Sequence, residues 1–161
     1  MDQLSESKMI IGSDEWCAFP SLNIPAIKAR VDSGAKTSSL HAINIQRFMK
    51  DEEHWVQFEV HPLKGNRKTT VHCEAPLIDQ RVIKSSSGDK EKRPVISTLL
   101  SLGEKTWNVE VTLTNRDSMG YRMLLGREAM NGHVLIDPQG ECLLGNHLSN
   151  ELADLYKAHK A

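Results

Sequence analysis

Apolar and polar residues alternate with a period of two along most of this chain, and only its last stretch has a helical period. The clearest cases are W-V-Q-F-E-V-H at 55–61 and T-W-N-V-E-V-T-L at 106–113, where every second side chain suits a buried strand face. Shorter runs read as strands at Met9–Gly12, Ile24–Val31, Leu40–Ile45 (weakly), Thr69–Cys73, Arg81–Ile83, Arg93–Leu100, Met123–Leu125, His133–Ile136 and Cys142–Leu144. Pro25 lies near the start of its run, where a missing N–H is tolerated. Turn residues at 64–67 and 102–105 close hairpins, and the polar S-S-S-G-D-K-E-K stretch closes a longer one. Arg127–Asn131 is long enough for one helical turn. Residues 148–161 read as a short amphipathic helix or a frayed tail, with Ser149 or Asn150 placed to cap it. The pattern predicts a mostly-β domain over residues 9–147, a flexible stretch over 1–8 and a separate C-terminal element over 148–161.

Composition narrows this picture only slightly. A chain of 161 residues and 18.1 kDa can hold one real core but not two ordinary domains. A formal net charge of -1 gives no bulk attraction to nucleic acid or to an anionic membrane, so neither is expected as a partner. No segment approaches the roughly 20 apolar residues needed to span a bilayer. The acid-containing start M-D-Q-L-S-E-S-K offers no signal-peptide run, and a cytoplasmic protein is expected. Cys17, Cys73 and Cys142 are widely spaced and odd in number, which fits free thiols in a reducing compartment.

The candidate chemistry lies in R-V-D-S-G-A-K-T-S-S-L at 30–40. Asp32 follows an apolar strand and precedes a glycine. An Asp-[Ser/Thr]-Gly tripeptide arises by chance about once in ten chains of this length, so alone it says little. The end of a strand does hold a side chain in a fixed position. Gly34 removes a side chain where a second backbone could approach, and the Ser33 hydroxyl could lock the loop. Later in the chain comes M-L-L-G-R at 123–127, an apolar triplet followed by glycine and a short helix.

With both segments in hand, the chain resembles retroviral-type aspartic proteases, which pair an Asp-[Ser/Thr]-Gly-Ala loop with a later apolar-apolar-Gly-Arg segment. It is most similar to a bacterial retropepsin-like family that has carried the label "ATP-dependent zinc protease" and is often encoded beside RimK-type glutamate ligases. The stretches that carry this are 15–42, 81–88 with 93–96, and 123–130 with 135–138. The resemblance implies a closed acid-protease β-barrel with one short helix after Leu-Leu-Gly-Arg. It places Asp32, Ser33 and Gly34 in a catalytic loop and makes Arg81–Ile96 a flap over the cleft, with Leu99–Leu113 the next hairpin and 55–73 an insertion. It also implies an acidic substrate, since members of the family are thought to process glutamate-rich tails added by the ligase, a ribosomal protein being one candidate carrier.

Aspartic proteolysis needs two carboxylates close enough to share a proton. One Asp-Ser-Gly per chain therefore implies a homodimer in which each copy contributes Asp32; Lys36 is the nearest polar alternative within the chain. Basic residues cluster in the segments that would line or support the cleft. These are Arg30, Lys36, Arg81, Lys84, Arg93, Arg122 and Arg127; all of them but Lys84, with Ser87 and Gly88 at the hairpin tip, are the candidate substrate-binding set. Arginine suits bidentate recognition of carboxylates. Solvated strand-end cations and an exposed loop are the plainer readings, and Arg127 could be a structural brace. No cofactor is expected. The chain has no H-E-x-x-H or C-x-x-C, adjacent His72 and Cys73 point to opposite strand faces, and His41, His54, His61 and His133 are scattered, so no metal is expected either. Ser33-x-x-Lys36 lacks the S-D-N and K-T-G companions of serine acyl-enzymes, and G-x-S-x-G is absent. The rival functions are a non-catalytic acidic-peptide-binding module of the same fold and a zinc-dependent hydrolase.

Overall fold

The computed structural model describes residues 8–63, 68–84, 87–115 and 120–160. The elements run β1 (Met9–Ile11), β2 (Asp14–Phe19), a 3-10 turn (Pro20–Leu22), β3 (Ile24–Val31), β4 (Ser38–His41), β5 (Ile43–Lys50), β6 (Glu53–Val60), β7 (Val71–Lys84), β8 (Lys90–Leu102), β9 (Lys105–Thr114), β10 (Met123–Leu125), α1 (Arg127–Met130), β11 (Val134–Ile136) and α2 (Ser149–Lys160). The protein is mostly β, as the alternation predicts. Strands β2, β3, β10, β4, β9 and β8 pair in that order, and β2 meets β8 again through Ala18 and Ser101, which closes a six-stranded barrel. Strands β7, β6 and β5 continue the sheet beyond β8, and β1 and β11 form a separate parallel pair.

The barrel is filled by the apolar half of each alternating strand. Phe19, Ile27, Leu40, Ile96, Leu100, Leu113, Met123 and Leu125 are all essentially inaccessible to solvent. In β3 the alternation is direct: Ile27 and Ala29 point inward, whereas Lys28 and Arg30 point out. In β6, Val56, Phe58 and Val60 are buried and close the sheet extension. The C-terminal segment forms a helix, and Leu152 and Tyr156 pack against the core. The Tyr156 hydroxyl donates to the Ala26 carbonyl oxygen of β3.

Several strands depart from the sequence expectation. Strand β2 does not show in the hydropathy pattern because it opens with two acids. Both are buried because they are hydrogen-bonded: Glu15 accepts from the backbone N–H groups of Gly12 (2.8 Å), Leu143 (2.8 Å) and Leu144 (3.0 Å), and Asp14 accepts from the Tyr121 hydroxyl (2.8 Å). The expected strand at Leu40–Ile45 is two strands, which part at Ala42, where the N–H bonds Thr114 instead. Thr69–Cys73 and Arg81–Ile83 belong to one long strand, β7. Its Pro76 falls where β7 changes partner, at the last rung on β6 (Trp55–Pro76) and just before the first on β8 (Leu77–Ile96), so the missing N–H interrupts little. Cys142–Leu144 is a turn, with Cys142 at φ 48°, and its N–H groups serve Asp14 and Glu15 rather than a strand partner. The turn expected at 64–67 and the start of the chain through residue 7 lie outside the described residues.

The three thiols sit in different surroundings. Burial pushes Cys17 up to about 12, helped by the Glu15 charge, and burial pushes Cys73 up to about 12 as well. Cys142 is half-buried, with a thiol 3.6 Å from an Asp14 carboxylate oxygen, and its pKa is raised less, chiefly by burial. In the native protein at neutral pH, a thiol reagent is therefore expected to modify Cys142 alone, and slowly. All three should react after unfolding. Mapping the adducts by mass spectrometry checks this, and labelling of native Cys17 or Cys73 would contradict it.

Candidate active site

Strand β3 ends at Val31 and delivers Asp32 into a loop over residues 32–37 that leads to β4. Strand β10 lies between β3 and β4, parallel to one and antiparallel to the other. The loop must therefore cross the end of β10, and β10 with α1 supplies its support. The Asp32 N–H donates to the Leu125 carbonyl (2.9 Å), the Arg127 N–H to the Ala35 carbonyl (2.7 Å) and the Glu128 N–H to the Lys36 carbonyl (3.0 Å). The Arg127 guanidinium donates to the Ser33 carbonyl at 2.9 Å. From the other side the buried Ser38 hydroxyl accepts the Gly126 N–H at 2.9 Å, while the Thr112 hydroxyl donates to the Ser38 carbonyl at 3.3 Å.

The Asp32 carboxyl is half-buried. One oxygen accepts the Gly34 N–H at 3.0 Å, and the other has no hydrogen-bond partner among the described residues. The loop's backbone positions this carboxylate, and its second oxygen meets no donor among the described residues. The close approach expected at Gly34 occurs instead at Gly126. A Cβ on Gly34 would meet only its own loop's Asp32 oxygen at 3.2 Å, whereas a Cβ on Gly126 would sit 2.6 Å from the Thr37 carbonyl carbon and 2.8 Å from the Ser38 nitrogen. Ser33 is exposed and contributes its carbonyl, not its hydroxyl, to the hydrogen bonds that hold the loop.

The basic candidates separate into distinct places. Lys36 is exposed on the loop itself, and Arg30 is exposed on β3 two residues before Asp32. Arg127 braces the loop through Ser33. Arg122 is buried at the far end of β10 from Asp32, beside a cavity of about 280 Å³ walled by Trp16, Tyr121 and Leu152. Arg81 is engaged by Asp79 (2.9 Å) and Glu110 (2.7 Å). These hydrogen bonds, Glu110 first, hold its pKa above the usual arginine value. Arg93 is 13% exposed at its side chain and pairs with Glu91 at 3.0 Å. Both arginines thus have their charge met within the chain. Ser87 and Gly88 are exposed at the tip of the β7–β8 hairpin, where Ser87 bonds Asp89 and Gly88 has φ +91°; the neighbouring residues 85–86 lie outside the described residues. Among the described residues, no three His, Cys, Asp or Glu side chains converge as a metal-holding group. Sequence reasoning overlooked Ser38 and Thr112, because a buried serine or threonine that bonds a backbone leaves no local signature.

Residues 10–145 of the chain match the family described as "Retropepsin-like aspartic endopeptidase RimB". The chain belongs to the RimB-like family. Its curated relatives include proteins named "Probable alpha-L-glutamate ligase". The one from Desulfotalea psychrophila is 60% identical over 150 residues, covering 93% of this chain and 32% of the relative. The one from Shewanella pealeana is 57% identical over 153 residues, covering 95% and 33%. The chain thus spans about a third of the length of these relatives. Among solved structures it is similar to Lpg0085 of Legionella pneumophila, a protein of unknown function, at 28% identity and a TM-score of 0.72 over 86% of this chain and 99% of that one. The RimB-like barrel is consistent with the closed fold that the two motifs imply.

The lock on the loop is testable. Ser38→Ala leaves the buried Gly126 N–H without its acceptor and should cost about 1–3 kcal/mol, whereas Gly126→Ala forces two backbones apart and should cost more. Urea denaturation of both variants measures this. A Gly126→Ala protein as stable as its parent would contradict the close approach.

Proposed function

We propose that this chain is an aspartic peptidase that hydrolyses peptide bonds in acidic, glutamate-rich tails, with two copies of the chain each contributing Asp32. The observation that carries the reading is the Asp32 carboxylate, fixed through its loop by β10 and α1 and open at one oxygen. Membership of a family described as retropepsin-like aspartic endopeptidases supports it.

Two such carboxylates meeting on a twofold axis cannot both stay ionised and would share a proton. The ionised one takes a proton from water, and the water oxygen bonds the scissile carbonyl carbon. The protonated one donates to the carbonyl oxygen as charge develops there. Collapse of the tetrahedral intermediate breaks the C–N bond, the leaving nitrogen receives a proton, and the dyad returns to one proton between two carboxylates. The β7–β8 hairpin closes over the substrate and keeps bulk water out. Lys36, exposed on the Asp32 loop, and Arg30, exposed at the end of β3, supply positive charge to an acidic chain.

The acidic substrate class draws on the relatives. A segment 60% identical to this chain makes up 32% of a protein named "Probable alpha-L-glutamate ligase", and that name supports a substrate rich in glutamate. A tail on a ribosomal protein is one such substrate. The same fusion favours a second reading, in which the domain holds acidic peptides without cutting them.

A peptide ending in a run of glutamates separates the two readings. It should shorten with the parent protein, as read by mass spectrometry, and still shorten in EDTA. With Asp32→Asn the rate should fall by at least about 10²-fold. Tight binding without shortening by the parent would favour the non-cutting module, and loss in EDTA alone would point to a metal-dependent hydrolase.

A further inference from the structure

The β7–β8 hairpin carries its positive charge on two faces, and the two faces have different fates. In the barrel, β8 turns Ile96, Thr98, Leu100 and Leu102 inward, all 4% exposed or less. Strand β8 pairs with β9 in unbroken register from Val95 to Leu102, and with β7 in unbroken register from Asp79–Val95 to Lys84–Lys90. Side chains two apart share a strand face. Lys90 and Lys92 therefore continue the inward side of β8 past the barrel's end. Their rung partners Lys84 and Val82 lie on the same face, and all four side chains are exposed. Arg81, Glu91 and Arg93 occupy the opposite, outer face. There Arg81 reaches Glu110, Arg93 reaches Glu91, and Glu91 accepts from the Thr114 hydroxyl at 3.2 Å.

The inner face is electrostatically incomplete. Lys84 and Lys90 are direct cross-strand neighbours about 5 Å apart, an arrangement that is unfavourable for like charges. Lys92 lies about 7 Å further along the strand. None of the three forms an ion pair among the described residues, and the one acid close by on the tip, Asp89, accepts from Ser87. Val82 leaves an apolar spot, 62% exposed, in their midst.

We propose that Lys84, Lys90 and Lys92 form the specificity surface of this hairpin and that it takes an extended acidic peptide. The inference rests on the peptidase reading and adds where the acidic chain is held. An extended peptide repeats its same-side carboxylates about every 7 Å, which matches the Lys90–Lys92 spacing. The side-chain methylenes of the lysines and Val82 cover its backbone. A single-stranded nucleic acid fits less well, because it needs aromatic side chains on which bases stack, and this face has none. On the opposite face the charges are already met: Arg81 reaches β9 through Glu110, and Glu91, paired with Arg93, reaches it through the Thr114 hydroxyl.

The test is binding, kept separate from catalysis. In an Asp32→Asn background, a labelled hexaglutamate peptide is titrated by fluorescence anisotropy against the protein and against K84E/K90E/K92E. A hexaglutamine peptide and an oligouridylate serve as controls, and thermal melting confirms that the variants are folded. The expected result is binding of hexaglutamate that weakens with salt, no binding of hexaglutamine, and a loss of at least about tenfold in the triple variant, with K84A/K90A/K92A intermediate. Equal hexaglutamate affinity in the triple variant, preference for the oligouridylate, or no hexaglutamate binding at all would each overturn the proposal. If the triple variant with Asp32 intact cleaves glutamate peptides with unchanged KM, the peptidase reading stands and the lysine surface falls.

Discussion

The site depends on a backbone contact that no side chain could tolerate. Strand β10 passes between β3 and β4, and the chain crosses its end at Gly126, where a Cβ would lie 2.6 Å from Thr37. Because the backbones meet there, the buried Ser38 hydroxyl reaches the Gly126 N–H, and the first residues of α1 reach the carbonyls of the Asp32 loop. These bonds satisfy polar groups that would otherwise be costly to bury. They also hold the backbone that carries the Asp32 carboxylate, which is what the proposed dyad of two chains requires of it.

The same economy of polar groups explains how charge is distributed. Inside the chain, acids and bases neutralise one another at defined positions: Asp14 with Lys28 and the Tyr121 hydroxyl, Arg81 with Asp79 and Glu110, Arg93 with Glu91. For Asp14, burial works to raise the pKa, but the Tyr121 hydroxyl, Lys28 and Cys142 together hold it below the ordinary value. Its stabilising contribution is thus present at neutral pH and fades as pH falls through that lowered pKa. The lysines of the inner hairpin face and Lys36 stand apart from these pairs. A near-neutral chain can in this way present a locally basic surface without a basic composition.

Much of the fold was legible because it follows from alternation. β3, β6, β9 and β10 bury the side chains that a two-residue period assigns to the core. Asp32 and the Leu124–Arg127 segment were legible as a pair only through the resemblance to retroviral-type aspartic proteases, since neither motif is distinctive alone, and the Asp32 N–H to Leu125 carbonyl bond joins them. β2 was not, since Asp14 and Glu15 are buried only by virtue of partners at residues 121 and 143–144. Arg81 and Arg93 looked equivalent to other cleft cations because their carboxylate partners are set by register and cross-strand contact, which composition does not reveal. Lys84 was legible as a cleft cation, but its place on one face with Lys90 and Lys92 follows only from counting in twos along β8 from Ile96 and then crossing to β7 at the Lys84–Lys90 rung. That count needs the β8 register, which the sequence does not supply.

The central claim is that one Asp32 is half a site. Mixing subunits tests it most directly: parent protein is co-refolded with increasing proportions of Asp32→Asn chains at constant total concentration, and cleavage of the glutamate peptide is followed. If the site is built from two chains, mixed pairs are inactive, and total activity falls as the square of the parent fraction. Activity that falls in simple proportion to the parent fraction would show that each chain carries a complete site, and would contradict the account.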